Sequence, residues 1–146
     1  MGIKELYDLD FFQWTQQNAE LLHRGCPDAA DLEHIAEELE DMGKSDQREV
    51  ESFLTRLILH LLKWQFQPAK RSRSWERSIV NSRVQLKRIF KQSPSLKRFA
   101  EESIREVYRD ALRLASIEAG LDRRKFPPTC PYSFAQIMDA DYLPED

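Results

Sequence analysis

The sequence predicts an all-α fold: a single-domain helical bundle of about five main helices, followed by an extended proline-rich tail and a short final helix. Apolar residues recur at intervals of three and four along most of the chain, which is the spacing of one helix face. No segment alternates apolar and polar residues for long enough to form a strand, and 4 glycines in 146 residues leave few places for tight hairpin turns. We expect one domain over residues 1–146, with the bundle at 1–120 and the tail at 121–146 packed on it.

The first predicted helix covers about residues 10–23. Asp10 is its expected cap, because an aspartate side chain accepts hydrogen bonds from the free N–H groups of a first turn. The second begins at residue 29 or 31, runs to residue 42 and ends at Gly43. Its apolar residues share one face, which we expect to point toward the core. These residues are Leu32, Ile35, Ala36, Leu39 and Met42.

The third predicted helix is capped by Ser45 and extends for about 22 residues. Between residues 57 and 66 it is apolar on nearly every side, which is typical of a central helix with neighbours on several faces. Pro68 ends it, because a proline ring cannot continue a helix. A fourth helix begins after Ser72 or Ser74.

The fifth predicted helix is long, with Pro94 at its first position and Gly120 at its end. The prolines of "FPPTCPY", residues 126–132, favour an extended tail over the bundle. A short helix capped by Ser133 completes the chain.

Charge is distributed very unevenly along the chain. Residues 1–52 hold 4 basic and 14 acidic side chains, residues 53–98 hold 12 and 1, and residues 99–146 hold 6 and 10. The net charge of −3 therefore conceals blocks of −10, +11 and −4. Blocks of opposite sign indicate segments that pair with each other or a surface that steers a partner.

The basic residues of the fourth helix share one side. At 100° per residue they fall within an arc of about 100°. The opposite side carries Trp75, Ile79, Leu86, Ile89 and Phe90. This basic surface consists of Arg73, Arg77, Lys87, Arg88 and Lys91. We expect it to be solvated or to dock an acidic protein. Nucleic acid is the alternative occupant, although a pI of about 5.7 and the lack of interleaved aromatic residues count against it.

A metal-binding helical bundle is the least favoured hypothesis. Its candidate ligands are His34, Glu38, Asp41 and His60, since bundles build metal sites from inward-facing carboxylates and imidazoles. The Glu-x-x-His motif of such sites is absent, because Asp31 and Leu57 lie three residues before the two histidines. A hairpin at Gly43 would also keep Glu38 and His60 apart. We therefore predict no metal site and no cofactor.

A polar strip lies along one edge of the central helix's apolar face. It consists of Arg56, His60, Lys63 and Gln67. The strip is either a pocket for an anionic ligand or, as we favour, a structural network with acidic neighbours such as Asp31 or with backbone carbonyls, because an unpaired buried charge is costly.

No catalytic motif stands out, and the sequence leans away from an enzyme. There is no phosphate-binding glycine loop, no His-Glu-x-x-His and no serine elbow. Cys26 and Cys130 are predicted to be reduced thiols. The start "MGIKELYDLD" has no apolar signal core and no apolar run approaches the length of a membrane helix, so we expect a cytoplasmic protein with no membrane partner.

Several blocks in a fixed order resemble the bacterial family called domain of unknown function 29, which is plentiful in cyanobacteria. They are "LYDLDFFQWTQQNAELL", "EELEDMG", "HLLKWQFQP", "RSRSW", "SPSL" and "FPPTCPYSFAQIMDADYLPED". The resemblance spans nearly the whole chain and implies a small, cytoplasmic, all-α protein. It implies no activity and no catalytic residue. We therefore predict a non-enzymatic protein-interaction module with complementary acidic and basic surfaces, whose partner is another protein or a second copy of the chain.

Overall fold

The computed structural model describes residues 2–145. These residues form α-helices and 3-10 turns and contain no strand, which confirms the predicted all-α class. The helices are α1 Ile3–Leu9, α2 Phe11–His23, α3 Leu32–Phe66, α4 Arg73–Gln92, α5 Ser95–Ala119 and α6 Phe134–Met138. Single 3-10 turns occupy Pro27–Ala29, Pro68–Lys70 and Arg123–Lys125.

The chain falls into two compact units, Met1–Asp46 and Gln47–Asp146. We call them the first and the second unit. The first contains α1, α2 and the beginning of α3, and the second contains the rest of α3 with α4, α5, α6 and the tail. A single domain over residues 1–146 stays a prediction.

One helix, α3, replaces the predicted second and third helices. Gly43 and Ser45 lie inside it, so the predicted stop, cap and hairpin are wrong. Gly43 does not adopt the positive φ that Gly25 and Gly120 adopt. A glycine inside a helix costs only about 1 kcal/mol relative to alanine. The flanking residues are mostly good helix formers, and this penalty is too small to break the helix between them.

The first unit begins with a helix that the sequence reading missed. α1 has 7 residues, too few to be stable alone, and it packs on α2 through Tyr7. The Tyr7 ring lies edge-on to Phe11 and Trp14, with centroids 5.8 and 5.1 Å away. Asp10 caps α2 as predicted, since its side chain accepts a hydrogen bond from the backbone N–H of Gln13.

The apolar residues at the start of α3 do not point toward a core, contrary to prediction. Leu32, Leu39 and Met42 are 50, 63 and 63% exposed. Ala36 is exposed as well, and Ile35 is half-buried. The residues of α3 that meet α1 and α2 lie on a different side of the helix and are polar, as described below.

The second unit has the aliphatic core. Leu57, Ile58, Leu61 and Leu62 are fully buried, which confirms the predicted central segment of α3. Apolar residues of α4, α5 and the tail complete the same cluster.

The predicted ends of the later helices are close to the observed ones. Ser72, one of two expected caps, accepts from the N–H of Trp75 at the start of α4. Pro94 precedes α5 instead of being its first helical residue, and Gly120 ends α5 in the left-handed conformation. Ser133 caps α6 in a reciprocal capping box with Gln136.

The tail is bonded to the helices of the second unit. The Tyr108 hydroxyl donates to the carbonyl of Pro127 (2.6 Å), and the Tyr132 hydroxyl donates to Oε1 of Gln65 (2.8 Å). Burial raises the pKa of Tyr108 to about 12 and also raises the pKa of Tyr132. Both hydroxyls therefore stay protonated and donate throughout the physiological range. Between residues 2 and 145, no helix combines the length and the apolar character needed to cross a membrane.

Candidate interaction surfaces

The basic surface lies on the outside of α4. Its five residues are all exposed. The ion pairs of the second unit involve other residues, among them Lys63 with Glu118 and Arg124 with Asp122. None of the five basic residues forms a salt bridge within the described part of this unit. Their charge is therefore open to solvent or to a partner.

Two exposed valines lie among the basic residues of α4, and they were not predicted from the sequence. Val80 and Val84 are 51 and 47% exposed and lie within the same arc of α4 as the basic residues. With them the outward residues form an unbroken run at intervals of four and three, the spacing of a helix face that meets another helix. The run is Arg73, Arg77, Val80, Val84, Lys87 and Lys91. We call it the α4 face; the interval pattern was the signal that could have found it.

The opposite side of α4 is anchored in the second unit. Ile79 and Leu86 are buried in the core. Arg83 is also buried, and its guanidinium donates to the carbonyls of Ile137 (2.7 Å) and Gln136 (3.2 Å) at the end of α6. Burial lowers the pKa of Arg83, although the nearby Asp139 opposes that shift. Arg83 therefore fixes the tail to α4 and holds the α4 face outward.

A cleft of about 690 Å³ adjoins the carboxyl-terminal end of the α4 face. Its lining combines apolar side chains with three lysines and one glutamate. The lining residues are Lys87, Phe90, Lys91, Lys97, Glu101, Phe134, Ala135 and Met138. The α4 face thus continues into a concave region that is also cationic and apolar.

The first unit carries an exposed helix face that is apolar with acidic residues near it. Leu32, Ile35, Leu39 and Met42 repeat at intervals of three, four and three, and fall within about 80° around α3. Asp46 continues the run one step further, and Glu38 lies about 40° beyond it on one side. On the other side the exposed Glu40 and Glu33 lie further round α3, about 80° and 100° beyond the run. We call this surface the acidic face of α3.

A buried carboxylate organises the interior of the first unit. Asp31 is fully buried and accepts from the indole N–H of Trp14 at 3.0 Å. Nδ1 of His34 lies 2.6 Å from the same oxygen of Asp31. The backbone N–H of Asp31 donates to Oδ1 of Asn18 at 2.8 Å, and the Asn18 amide donates to the carbonyl of Trp14 at 2.8 Å.

These bonds set the protonation states of the pair. Burial acts to raise the pKa of Asp31, but the hydrogen bonds from Trp14 and His34 outweigh it, and the pKa is lowered. The bond to Asp31 raises the pKa of His34. The pair therefore favours a carboxylate and an imidazolium, and it acts as a structural link between α2 and α3.

The four metal-ligand candidates have different surroundings. The His34 ring stacks on Tyr7 with centroids 4.0 Å apart, and Oε1 of Glu38 accepts from the Tyr7 hydroxyl at 2.5 Å. Asp41 is exposed. His60 belongs to the second unit, where its Nδ1 lies 2.8 Å from the carbonyl oxygen of Arg56. Over residues 2–145, no three His, Cys, Asp or Glu side chains are grouped so that they could hold a metal ion.

The polar strip lies in the second unit and is only partly buried. Arg56 and His60 line a cleft of about 620 Å³ together with Asp110, Arg113 and Glu118. Burial lowers the pKa of His60, which favours the neutral imidazole.

The remaining part of the strip has a carboxylate partner. Nζ of Lys63 lies 3.8 Å from Glu118 and 4.7 Å from the centroid of the Trp75 ring. Gln67 is half-buried. Asp31, the acidic neighbour expected from the sequence, is bonded within the first unit instead. The carboxylate that Lys63 meets is on α5, and a single sequence cannot reveal that pairing.

Both cysteines are free thiols. Cys26 is exposed, and Cys130 is half-buried with its Sγ 3.5 Å from the carbonyl of Tyr132. Burial raises the pKa of the Cys130 thiol, which disfavours the reactive thiolate.

A family model described as "Domain of unknown function DUF29" matches residues 6–143, nearly the whole chain. No curated protein matches the chain, and neither does any solved structure.

Proposed function

The chain belongs to the DUF29 family, and we propose that it is a non-enzymatic protein-interaction module that binds through complementary acidic and basic surfaces. The observation that carries this proposal is the α4 face. Its two exposed valines sit at the middle of a cationic run that has no salt-bridge partners within the described second unit.

The partner that fits the α4 face is an acidic amphipathic helix. Residues at intervals of three and four on one helix meet a second helix along a single seam. Val80 and Val84 would bury apolar surface at the middle of that seam. The basic residues at both ends would meet carboxylates, which contribute mainly to the association rate and to the choice of partner.

A labelled synthetic helix tests this proposal. The peptide has about three heptads, with leucine and isoleucine along the seam and glutamate beside it, and a scrambled peptide of equal composition is the reference. We expect micromolar binding of the helical peptide in fluorescence anisotropy. Changing both valines to aspartate (V80D and V84D) should weaken binding at least tenfold, because it buries charge at the centre of the seam.

The matched control is Arg109→Glu on α5, an exposed charge reversal away from the α4 face. It should leave the affinity within about twofold of the parent. The proposal fails if the helical peptide does not bind at about 100 µM to a parent that runs as a single chain, or if Arg109→Glu weakens binding as much as the valine substitutions do.

Nucleic acid is the second candidate, favoured by the exposure of the five basic residues. Phosphate contacts would make the affinity fall steeply between about 50 and 200 mM salt. Labelled DNA and RNA, single-stranded and duplex, should be titrated at both salt concentrations. Val80→Ser with Val84→Ser separates the candidates, because loss of the two apolar side chains weakens a helix partner and leaves phosphate contacts intact.

A further inference from the structure

We propose that the partner of the α4 face is the acidic face of α3 in a second copy of this chain, and that two copies exchange this contact reciprocally. The inference rests on the proposed function and names its partner. It follows from the exposure, spacing and charge of the two faces.

Each face is apolar and uncovered. Leu39 and Met42 on one, and Val80 and Val84 on the other, each expose about half or more of their side chains. Single exposed aliphatic residues are ordinary, but neighbouring ones on a single helix face mark a surface that is covered by something else.

The two faces match in spacing and length. Both follow intervals of three and four, which lets the side chains of one helix pack between those of another. From Leu32 to Asp46, and from Arg77 to Lys91, the chain advances 14 residues, or about 21 Å along a helix axis.

Charge selects pairing between unlike faces. Two α4 faces brought together would oppose arginine and lysine to arginine and lysine. Two acidic faces of α3 would oppose carboxylates to carboxylates. All three pairings would place apolar side chains together, but only the mixed pairing brings acidic residues near basic ones, so like-charge repulsion disfavours the other two.

Each copy carries one face of each kind, so two copies can satisfy both through a pair of identical contacts. A contact that two copies make twice in this way, α3 of the first with α4 of the second and the reverse, is the isologous contact of a twofold-symmetric dimer. The expected particle has twice the chain mass of 17.3 kDa.

Light scattering on size-exclusion fractions tests the proposal with two charge-reversed chains. The first variant reverses the α4 face and the second reverses the acidic face of α3. The first carries Arg73→Glu, Arg77→Glu and Lys87→Glu. The second carries Glu33→Lys, Glu40→Lys and Asp46→Lys. All six positions are exposed, so the folds should persist. The parent should run as two copies, and each variant alone should run as one.

Mixing is the decisive step. In an equimolar mixture the acidic α3 of the first variant meets the basic α4 of the second, and the basic α3 of the second meets the acidic α4 of the first. The two-copy mass should return. A chain that carries all six substitutions should also pair with itself and should not pair with the parent. Because an unfolded variant could not be rescued by mixing, a restored mass cannot come from misfolding.

The control chain reverses three exposed basic residues on α5. These are Arg98→Glu, Arg105→Glu and Arg109→Glu. It should keep the two-copy mass. The inference is overturned if the parent has a single-chain mass at about 100 µM, if the control dissociates as readily as the α4 variant, or if mixing fails to restore the mass.

The same experiments separate this inference from the proposed function. A single-chain parent that still binds the acidic helical peptide retains the interaction role and removes self-pairing. A parent that is a single chain and binds no peptide removes both. A two-copy parent should dissociate as the peptide is added, because the peptide competes for the α4 face. That result supports both the inference and the proposed function.

Discussion

The two units are both helical, yet their interiors differ in kind. The second unit packs aliphatic side chains of α3, α4 and α5 into one fully buried cluster. The first unit is built around aromatic rings and a buried carboxylate, and it leaves many of its aliphatic side chains exposed. Because a segment of about 46 residues can enclose only a small interior, hydrogen bonds to Asp31 specify its helix packing. Much of its apolar surface stays available for contacts outside the unit.

A core truncation should show the largest difference between the units. Leu57→Ala removes a fully buried side chain from the second unit, and we expect a loss of about 2–5 kcal/mol in the free energy of unfolding. Leu9→Ala in the first unit truncates a side chain that is mostly exposed, and the loss should be within about 0.5 kcal/mol. Urea denaturation followed by circular dichroism measures both. Equal losses in the two variants would contradict the difference in burial between the two units.

The buried carboxylate should be the weak point of the first unit. Asp31→Ala leaves the Trp14 indole N–H without its acceptor, at a cost of about 1–3 kcal/mol. Hydrogen exchange should show about tenfold or greater loss of protection in peptides from α2, with little change in peptides from α5. Glu37→Ala, at an exposed carboxylate six residues after Asp31 in the sequence, is the control. An equal loss of protection in α5 would show that the effect is not local.

Two glycines should respond in opposite directions to the same substitution. Gly43 lies within α3 with no atom within 4 Å of an added Cβ, so Gly43→Ala should stabilise the protein by about 0.5–1 kcal/mol. Gly120 has φ +66°, and Gly120→Ala should cost about 1 kcal/mol or more. Thermal unfolding of both variants gives the two signs. A loss for Gly43→Ala would mean that α3 is interrupted at residue 43.

The smallest expected effect is a difference in pH dependence between two histidines. From an ordinary value of 6.5, the pKa of His34 is raised by Asp31, whereas the pKa of His60 is lowered by burial. NMR titration of the imidazole signals, assigned with His34→Gln and His60→Gln, should show one midpoint above 6.5 and one below. Midpoints in the reverse order would contradict both environments.

The contributions of the two histidines to the free energy of unfolding depend on pH in opposite directions. His34 binds its proton more tightly in the folded chain, so its contribution is complete below about pH 6.5 and is lost as the pH rises through its raised pKa. His60 binds its proton less tightly when folded, so stability is lost as the pH falls from about 6.5 through its lowered pKa. The unfolding free energy of each glutamine variant, compared with the parent across this range, should show the corresponding slope removed.

Local signals predicted most of the secondary structure. Asp10, Ser72 and Ser133 cap helices as their residue types indicate, and Gly120 ends one. Local reasoning failed at Gly43, because the sequence alone does not show whether a glycine adopts positive φ. It also missed α1, a short helix that depends on the packing of Tyr7 against α2.

The sequence predicted which basic residues share a surface, but it did not predict which elements pack beside that surface. The basic residues of α4 were found by periodicity, because helical geometry places them on one side whatever the rest of the chain does. The valines among them were overlooked, since their exposure depends on which side of α4 meets the core. Lys63 and Glu118 lie 55 residues apart in the sequence, and such a pairing is set by the packing of α3 on α5.

The amino-acid sequence by itself determined the all-α class, the helix caps, the separation of charge along the chain and the family, because these depend on local residue pattern. Only the tertiary structure decided which apolar faces are buried. It left Leu39 and Val84 exposed and placed Asp31 inside the first unit. The physical reason is that burial depends on the elements that pack against a residue, and these come from distant parts of the chain.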